Sequence, residues 1–335
     1  MNIAASLYTR LSRHRKLLAV GSLLLISVFL ATYPLYSGAA YYTRVLAMIL
    51  MWAVLAMSWA MFSGTTGYMS LATAAFFGVG VMAMAILQET LPLPVIIVIG
   101  GLLASALAFL IGLVTLRLRG IYFAIFSFGF VMFIGRTADY IDSHILGNSW
   151  GHEIPLMDTG TLYYIILGLF VVTLVAIYFI RRSRYGLALL SIGGNEEAAA
   201  HMGINTTMVK VILFTISAVF AGAAGVIWAN SLVHVEAGIA FNVFVSFMPI
   251  LMAIFGGMGQ FYGPVVGAVV FGYLDQTVRI QFQTQFMLVF GIILVMVILF
   301  LPNGIAGLVT MVRGKLGGAI AKSLKGGQAE QHANT

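Results

Sequence analysis

The chain holds few side chains with which to make or break a covalent bond. Its 335 residues include no cysteine, which excludes disulfides, thiol catalysis and thiolate-bound metals. The six histidines, His14, His144, His152, His201, His234 and His332, are scattered through loops and tails at no ligand spacing and read as unpaired surface residues. No serine, histidine and acid stand at a spacing that marks a hydrolytic centre. The nearest phosphate cradle, "VTMVRGKL", has valine for its leading glycine and Leu316 where a serine or threonine must follow Lys315. "GVGVMA", Gly78 to Ala83, imitates a dinucleotide fingerprint. It lies inside an apolar run with no strand before it, so its small residues read as helix packing. "NTT" at Asn205 fits a glycosylation acceptor but falls on the predicted cytoplasmic side. The sequence predicts no catalytic residue, no metal and no cofactor, and any ATP must be handled by another chain.

Polar and glycine-rich interruptions of apolar sequence are more informative. "SGTTGYMSLATAAFFGVG" breaks a helix pattern at Gly64, Thr65, Thr66 and Gly67. "LRLRGIYFAIFSFGF" places Gly120 before a span that carries Ser127. "FGGMGQFYGPVVGAVV" gathers Gly256, Gly257, Gly259, Gly263, Pro264 and Gly267. Non-helical backbone at membrane depth needs partners that hydrocarbon cannot offer, so such breaks mark protein-lined or water-lined paths. Gly263 and Gly267, spaced as GxxxG, also let helices approach closely, and packing is the first reading for that pair. Thr65, Thr66, Ser70, Thr73 and Ser127 are candidates for a translocation path, or else hydroxyls that satisfy neighbouring helical carbonyls. Every charged residue falls at or near a predicted span boundary, so an ion-coupled mechanism has no obvious ionisable group.

One polar stretch, "GNEEAAAHMGIN", lies between two apolar runs. Asn195 suits an N-cap, Glu196 and Glu197 suit a first helical turn, Ala199 and Ala200 continue it to Met202, and Gly203 stops it. A helix over 196–202 is too short to cross a bilayer or to stand alone in water. It is either a surface helix on the chain's own loops or a helix presented to a partner.

These features need a membrane scaffold. At 61% hydrophobic and 8% charged residues, with mean hydropathy +1.04, the chain cannot coat a water-soluble globule. Apolar runs predict an all-α polytopic bundle of about ten spans, some broken or re-entrant. They are Leu17 to Tyr33, Val45 to Phe62, Leu71 to Leu87, Val95 to Leu116, Ile121 to Gly135, Leu162 to Ile180, Val209 to Ala229, Val243 to Phe255, Tyr262 to Leu274 and Phe286 to Leu301. With both termini in the cytoplasm, all 17 lysines and arginines except Arg44, Arg136 and Arg279 lie inside. The net charge of +7 is explained by that bias, and nucleic-acid binding loses its motive. The predicted division is a basic cytoplasmic segment 1–16, one transmembrane domain 17–304 with a cytoplasmic loop 181–208, and a cytoplasmic tail 305–335. The first apolar run reads as an uncleaved helix. Leu316, Ile320 and Leu324 among lysines permit a short interfacial helix or a solvated tail.

"SRYGLALLSIGGNEEAAAHMGIN" followed by "FTISAVFAGAAGVIWA" and "ILMAIFGGMGQFYGPVVGA" resembles the LivM-like permease subunits of ATP-binding-cassette importers for branched-chain amino acids. "GYMSLATAAFFGVG" and "LRLRGIYFAIFSFGF" add to the resemblance, which runs from Gly64 to Gly304. Gly193 and Gly194 stand where many relatives carry a charged residue before the asparagine, and "ILGNSWGHEIP" and "GYMSLATA" also depart from the family pattern. The resemblance implies a bacterial inner-membrane importer with a second, LivH-like permease, two cytoplasmic ATPases that bind the ATP, and an extracytoplasmic solute-binding protein. It implies that Asn195, Glu196, Glu197, Ala199, Ala200, Met202 and Gly203 form the helix that couples to an ATPase. The alternatives are a free-standing secondary transporter or channel, favoured by the broken helices, and more remotely a membrane enzyme.

Overall fold

The computed structural model describes Thr32, residues 40–145, Gly147, residues 151–258 and 261–281, and isolated positions between 288 and 296. Its helices are α1 (Ala40–Thr66), α2 (Thr73–Leu87), α3 (Leu93–Thr115), α4 (Ile121–Tyr140), α5 (Thr159–Arg182), α6 (Arg184–Gly194), α7 (Glu196–His201), α8 (Thr206–Ala229), α9 (Ala237–Ala240), α10 (Phe244–Gly256) and α11 (Gly263–Gln281). Two short strands, β1 (His152–Glu153) and β2 (His234–Val235), pair antiparallel and clip two loops together at one end of the bundle.

Burial sorts the helices. A helix apolar on every side is stable only where protein or lipid surrounds it. In α1 the most apolar 18-residue window is 89% buried, against 17% for α4 with its following turn. Helix α1 is therefore the axis of the bundle, and α4 lies at its edge. Helices α2, α3 and α8 pack so closely that a side chain on Gly80 would strike the Gly222 backbone, and one on Gly225 the Phe77 carbonyl. Helices α10 and α11 use the same device, with Gly267 against the Met252 carbonyl and Gly263 against that of Gly257.

Side-chain caps set several boundaries. Asp158 accepts from the Gly160 and Thr161 amides at the start of α5, Ser183 caps α6, and Asn205 accepts from the Met208 amide at the start of α8. Arg181 and Arg182 occupy the last turn of α5, where cations suit the helix dipole.

Six segments are long and apolar enough to cross a membrane, among the described residues, so this is a multi-pass membrane protein. The expected first span, Leu17 to Tyr33, and last span, Phe286 to Leu301, lie outside the described residues apart from isolated positions, as does the whole tail 305–335. Other expectations need correction. Helix α4 continues five residues past Gly135 to Tyr140. Helix α11 runs past Leu274 to Gln281, which places Asp275 inside a helix, buried and paired with Arg279 at 2.9 Å. The predicted break at Gly64 is not one: Thr65 and Thr66 bond back to the Met61 and Phe62 carbonyls, and α1 stops only at Gly67, whose φ is +76°. His152 is not an unpaired surface residue, since its Nε2 lies 2.8 Å from Asp142 Oδ1.

Candidate functional site

Between α1 and α2 the chain runs non-helically from Gly67 to Ala72. At ~1.5 Å per residue α1 is long enough to cross a bilayer and α2 is not, and the segment between them lies back against α1, with Ser70 bonded to Trp59 and Ser63. Many of its backbone groups are met by protein. The Gly67 amide donates to the Ser63 carbonyl, Tyr68 N to Thr66 Oγ1, and Ser70 N to Ser63 Oγ. The Ser70 carbonyl accepts from Trp59 Nε1 at 2.7 Å. Leu71 N donates to Ser127 Oγ of α4 at 2.9 Å, and the Leu71 carbonyl accepts from Ser246 Oγ of α10 at 2.7 Å. Ala74 N also donates to Ser246 Oγ. Three helices thus supply the partners that lipid could not.

The five candidate hydroxyls separate on this geometry. Thr65, Thr66 and Ser127 donate to carbonyls of their own helices, and Ser70 accepts from the Ala72 amide. Ser70 and Thr73 also line a small cavity of ≈10 Å³ with Ser58, Ser63 and Ser217, room for about one water. Ser63, Ser246 and Trp59 were not singled out from the sequence. Small hydroxyls and one indole in an apolar run are compatible with ordinary packing, and only the fold brings them to one place.

The stretch 195–203 lies at the basic end of the bundle. Asn195 Oδ1 accepts from the Ala198 amide at 3.0 Å and opens α7, which has six residues rather than the seven expected, because Met202 leaves the helix as its cap. Gly203 adopts φ +84°, its amide reaches the Ala200 carbonyl, and the Ile204 amide reaches that of Ala199. This pair of bonds is the Schellman stop that the glycine predicts.

Helix α7 has two unlike sides. Glu196 and the fully buried Ala199 face inward, while Asn195, Glu197, Ala200, Met202 and Gly203 are exposed. Glu196 Oε1 lies 2.7 Å from Lys210 Nζ, and its other oxygen accepts from the Tyr68 hydroxyl. Lys210 is 2% exposed, and its ammonium also donates to the Tyr68 hydroxyl and the Leu116 carbonyl, both at 3.1 Å. Tyr68 belongs to the broken segment, so α7, α8 and the break meet in one polar knot. Burial pushes the Glu196 carboxyl up, but the hydrogen bonds from Lys210 and Tyr68 and the charges of Lys210 and Arg119 outweigh it and hold its pKa below the ordinary range. Glu197 pairs with Arg119 at 3.1 Å on the surface and, by that hydrogen bond, raises the arginine's pKa.

A second contact joins the same region to α1. A side chain on Gly193 would strike the Thr65 carbonyl, whereas Gly194 has open space around it. Of the other predicted breaks, Gly120, at φ +60°, opens α4, and Gly257, at φ +105°, ends α10. Gly256 and Gly263 pack backbone to backbone beside the buried Pro264. Gly64 sits against the Met258 carbonyl, and Gly259 lies outside the described residues. The charge bias along the sequence puts Lys210 on the cytoplasmic side with the other basic residues and does not mark Tyr68. A lone lysine four residues into a helix that is otherwise apolar was the available signal.

The family described as "Branched-chain amino acid transport system / permease component" matches residues 41–299. The chain is 28% identical over 301 residues to the high-affinity branched-chain amino acid transport system permease protein LivM of Salmonella typhimurium, covering 80% of this chain and 68% of that one. It is 26% identical over 275 residues to LivM of Escherichia coli, covering 72% and 64%. The ribose import permease protein RbsC of Haemophilus influenzae is 23% identical over 215 residues, covering 60% and 65%. The chain thus spans about two thirds of the length of these relatives. No solved structure matches it. With the family match extending over more than half of its residues, this chain belongs to the branched-chain amino acid transport system permease family.

Proposed function

We propose that this chain is the transmembrane permease subunit of an ATP-binding-cassette importer, forming the path for branched-chain amino acids or a related small amino acid or amide across a bacterial inner membrane. On this reading 17–304 is one permease domain between a cytoplasmic segment 1–16 and a cytoplasmic tail 305–335, with 181–208 as its cytoplasmic loop. Its partners are a second, LivH-like permease, two cytoplasmic ATPases that bind and hydrolyse the ATP, and an extracytoplasmic solute-binding protein. Catalysis belongs to the ATPases.

The observation that carries this reading is the two-sided seating of α7. Its inner side is bonded to Tyr68 of the break and Lys210 of α8, while Ala200, Met202 and Gly203 are open to a partner. Six helical residues have little stability of their own, so their position is set by what they touch. An ATPase closing on the exposed side would displace Glu196, and with it Tyr68 and the segment whose backbone is tied to Ser127 and Ser246. Coupling by this route needs a two-state element, and the break is the candidate.

The test is the assembled complex in proteoliposomes with residues 195–203 replaced by a glycine-serine linker. The chain still inserts and the ATPases still turn over, but solute uptake is lost. Unimpaired ATP-driven uptake by the linker variant refutes the assignment of α7.

A further inference from the structure

We infer that the end of the bundle opposite α7 carries a solute-reading site for a zwitterionic α-amino acid with an apolar side chain, in the cavity between α4 and the segment Glu236–Val243. The inference rests on the importer reading above and adds to it the residues that meet the solute. The cavity holds ≈530 Å³, within the range of small-molecule sites. Arg136 and Asp139 line it one turn apart on α4, and Glu236 lines it from the opposing segment. None of the three side chains has an ion-pair or hydrogen-bond partner among the described residues. All three are exposed to the cavity mouth, and their neighbours in the wall include the apolar Val131, Met132 and Phe241 and the amide of Asn242.

The wall is built in advance of any ligand. Phe241 is 7% exposed and sits where Gly78 of α2 and Gly135 of α4 leave space, since a side chain at either glycine would press on its ring or Cβ. That wedge holds the segment Glu236–Val243 against both helices. A cation and two carboxylates around one cavity call for a ligand that carries both signs. A carboxylate meets the Arg136 guanidinium, which is suited to two parallel hydrogen bonds, and an ammonium meets Asp139 and Glu236. Val131, Met132 and Phe241 then face the aliphatic side chain. A neutral sugar, the solute class named for RbsC, would shed water from three charged groups and return none of the charge.

Because the sequence contains no cysteine, a single introduced thiol is the only one in this chain, and labelling is read on the band of this chain after separation from its partners. The experiment uses right-side-out vesicles loaded with ATP and carrying the assembled complex, with M132C in this chain and an impermeant maleimide outside. L-leucine slows labelling, L-leucinamide slows it less, and D-ribose leaves it unchanged. R136Q raises the leucine concentration for half-protection about tenfold or more, as expected for loss of one charge-assisted hydrogen bond, and R136K falls between. G238C serves as a second reporter where M132C fails to assemble. No protection by leucine, equal protection by ribose, or protection indifferent to R136Q overturns the site. Uptake is read in the same vesicles: leucine uptake without leucine protection removes the site alone, whereas no ATP-dependent uptake of any member of a panel of small and branched-chain amino acids and their amides overturns the importer reading.

Discussion

Lys210 Nζ lies 2.7 Å from Glu196 Oε1, and this pair ties the first turns of α8 and α7 together. A buried ammonium is tolerated only when its protons have partners, and here the Glu196 carboxylate, the Tyr68 hydroxyl and the Leu116 carbonyl supply them. The pair is thus both the anchor of α7 and the junction through which α7 touches the broken segment.

Replacing the lysine tests that junction. K210M keeps length and apolar volume but removes the ammonium from which both the Glu196 carboxylate and the Tyr68 hydroxyl accept. The expected cost is about 2 kcal/mol, the worth of a charge-assisted hydrogen bond. Thermal unfolding of the purified chain should report it, and uptake per ATP hydrolysed should fall in the assembled complex. The double variant K210M/E196Q should lose less than the sum of the single losses, because the two groups act on each other.

Acid should dissolve the same contact. Glu196 has its folded pKa below the unfolded value of about 4.3, so its contribution is fully present above that pH and is lost as pH falls through the lowered folded value. The difference in melting temperature between the natural chain and E196Q should therefore be constant from neutral pH to about 5 and shrink below about 4. A difference that grows on acidification would assign the stabilisation to another group. On the surface, R119A should leave the melting temperature unchanged, since the Arg119–Glu197 pair is open to solvent and its attraction is screened by salt.

Much of the scaffold was legible because membrane burial imposes one dominant signal. Apolar runs located α1, α3, α5 and α8 to within a few residues, and Asn195 and Gly203 marked the ends of α7, leaving Met202 as its only misassigned residue. The failures have a common physical cause. Gly64, Thr65 and Thr66 look like a break, yet threonine hydroxyls that bond back to helical carbonyls let α1 continue. Lys210 looks like a solvated cation because periodicity does not reveal a partner 14 residues earlier on a different helix. Ser246 and Leu71 are 175 positions apart, and nothing local records that one satisfies the other.

Adjacent glycines give a sharper contrast. G193A must push α6 away from the Thr65 carbonyl at the end of α1, an overpacking that costs about 1–3 kcal/mol. G194A meets open space and should be neutral, or stabilising by up to about 1 kcal/mol, as alanine favours the helix over glycine. Melting temperatures of the two variants decide the matter, and equal effects would show that α6 does not bear on α1 as described.

The hydroxyl of Ser127 separates scaffold from path. Its Oγ accepts from the Leu71 amide and donates to the Ala124 carbonyl, so both of its roles are internal to the protein. S127A leaves the half-buried Leu71 amide without its acceptor, at a cost of about 1 kcal/mol or more, while S127T keeps the oxygen and should recover most of the loss. If the hydroxyl serves only the break, S127A lowers the melting temperature and the affinity for solute is unchanged in whatever fraction still folds. If it also meets the solute, S127A changes the concentration for half-maximal uptake in the assembled complex even at temperatures where the variant is fully folded. The geometry favours the first outcome, because the donor is already given to Ala124 and the acceptor to Leu71, which leaves the solute at most one lone pair of the same oxygen.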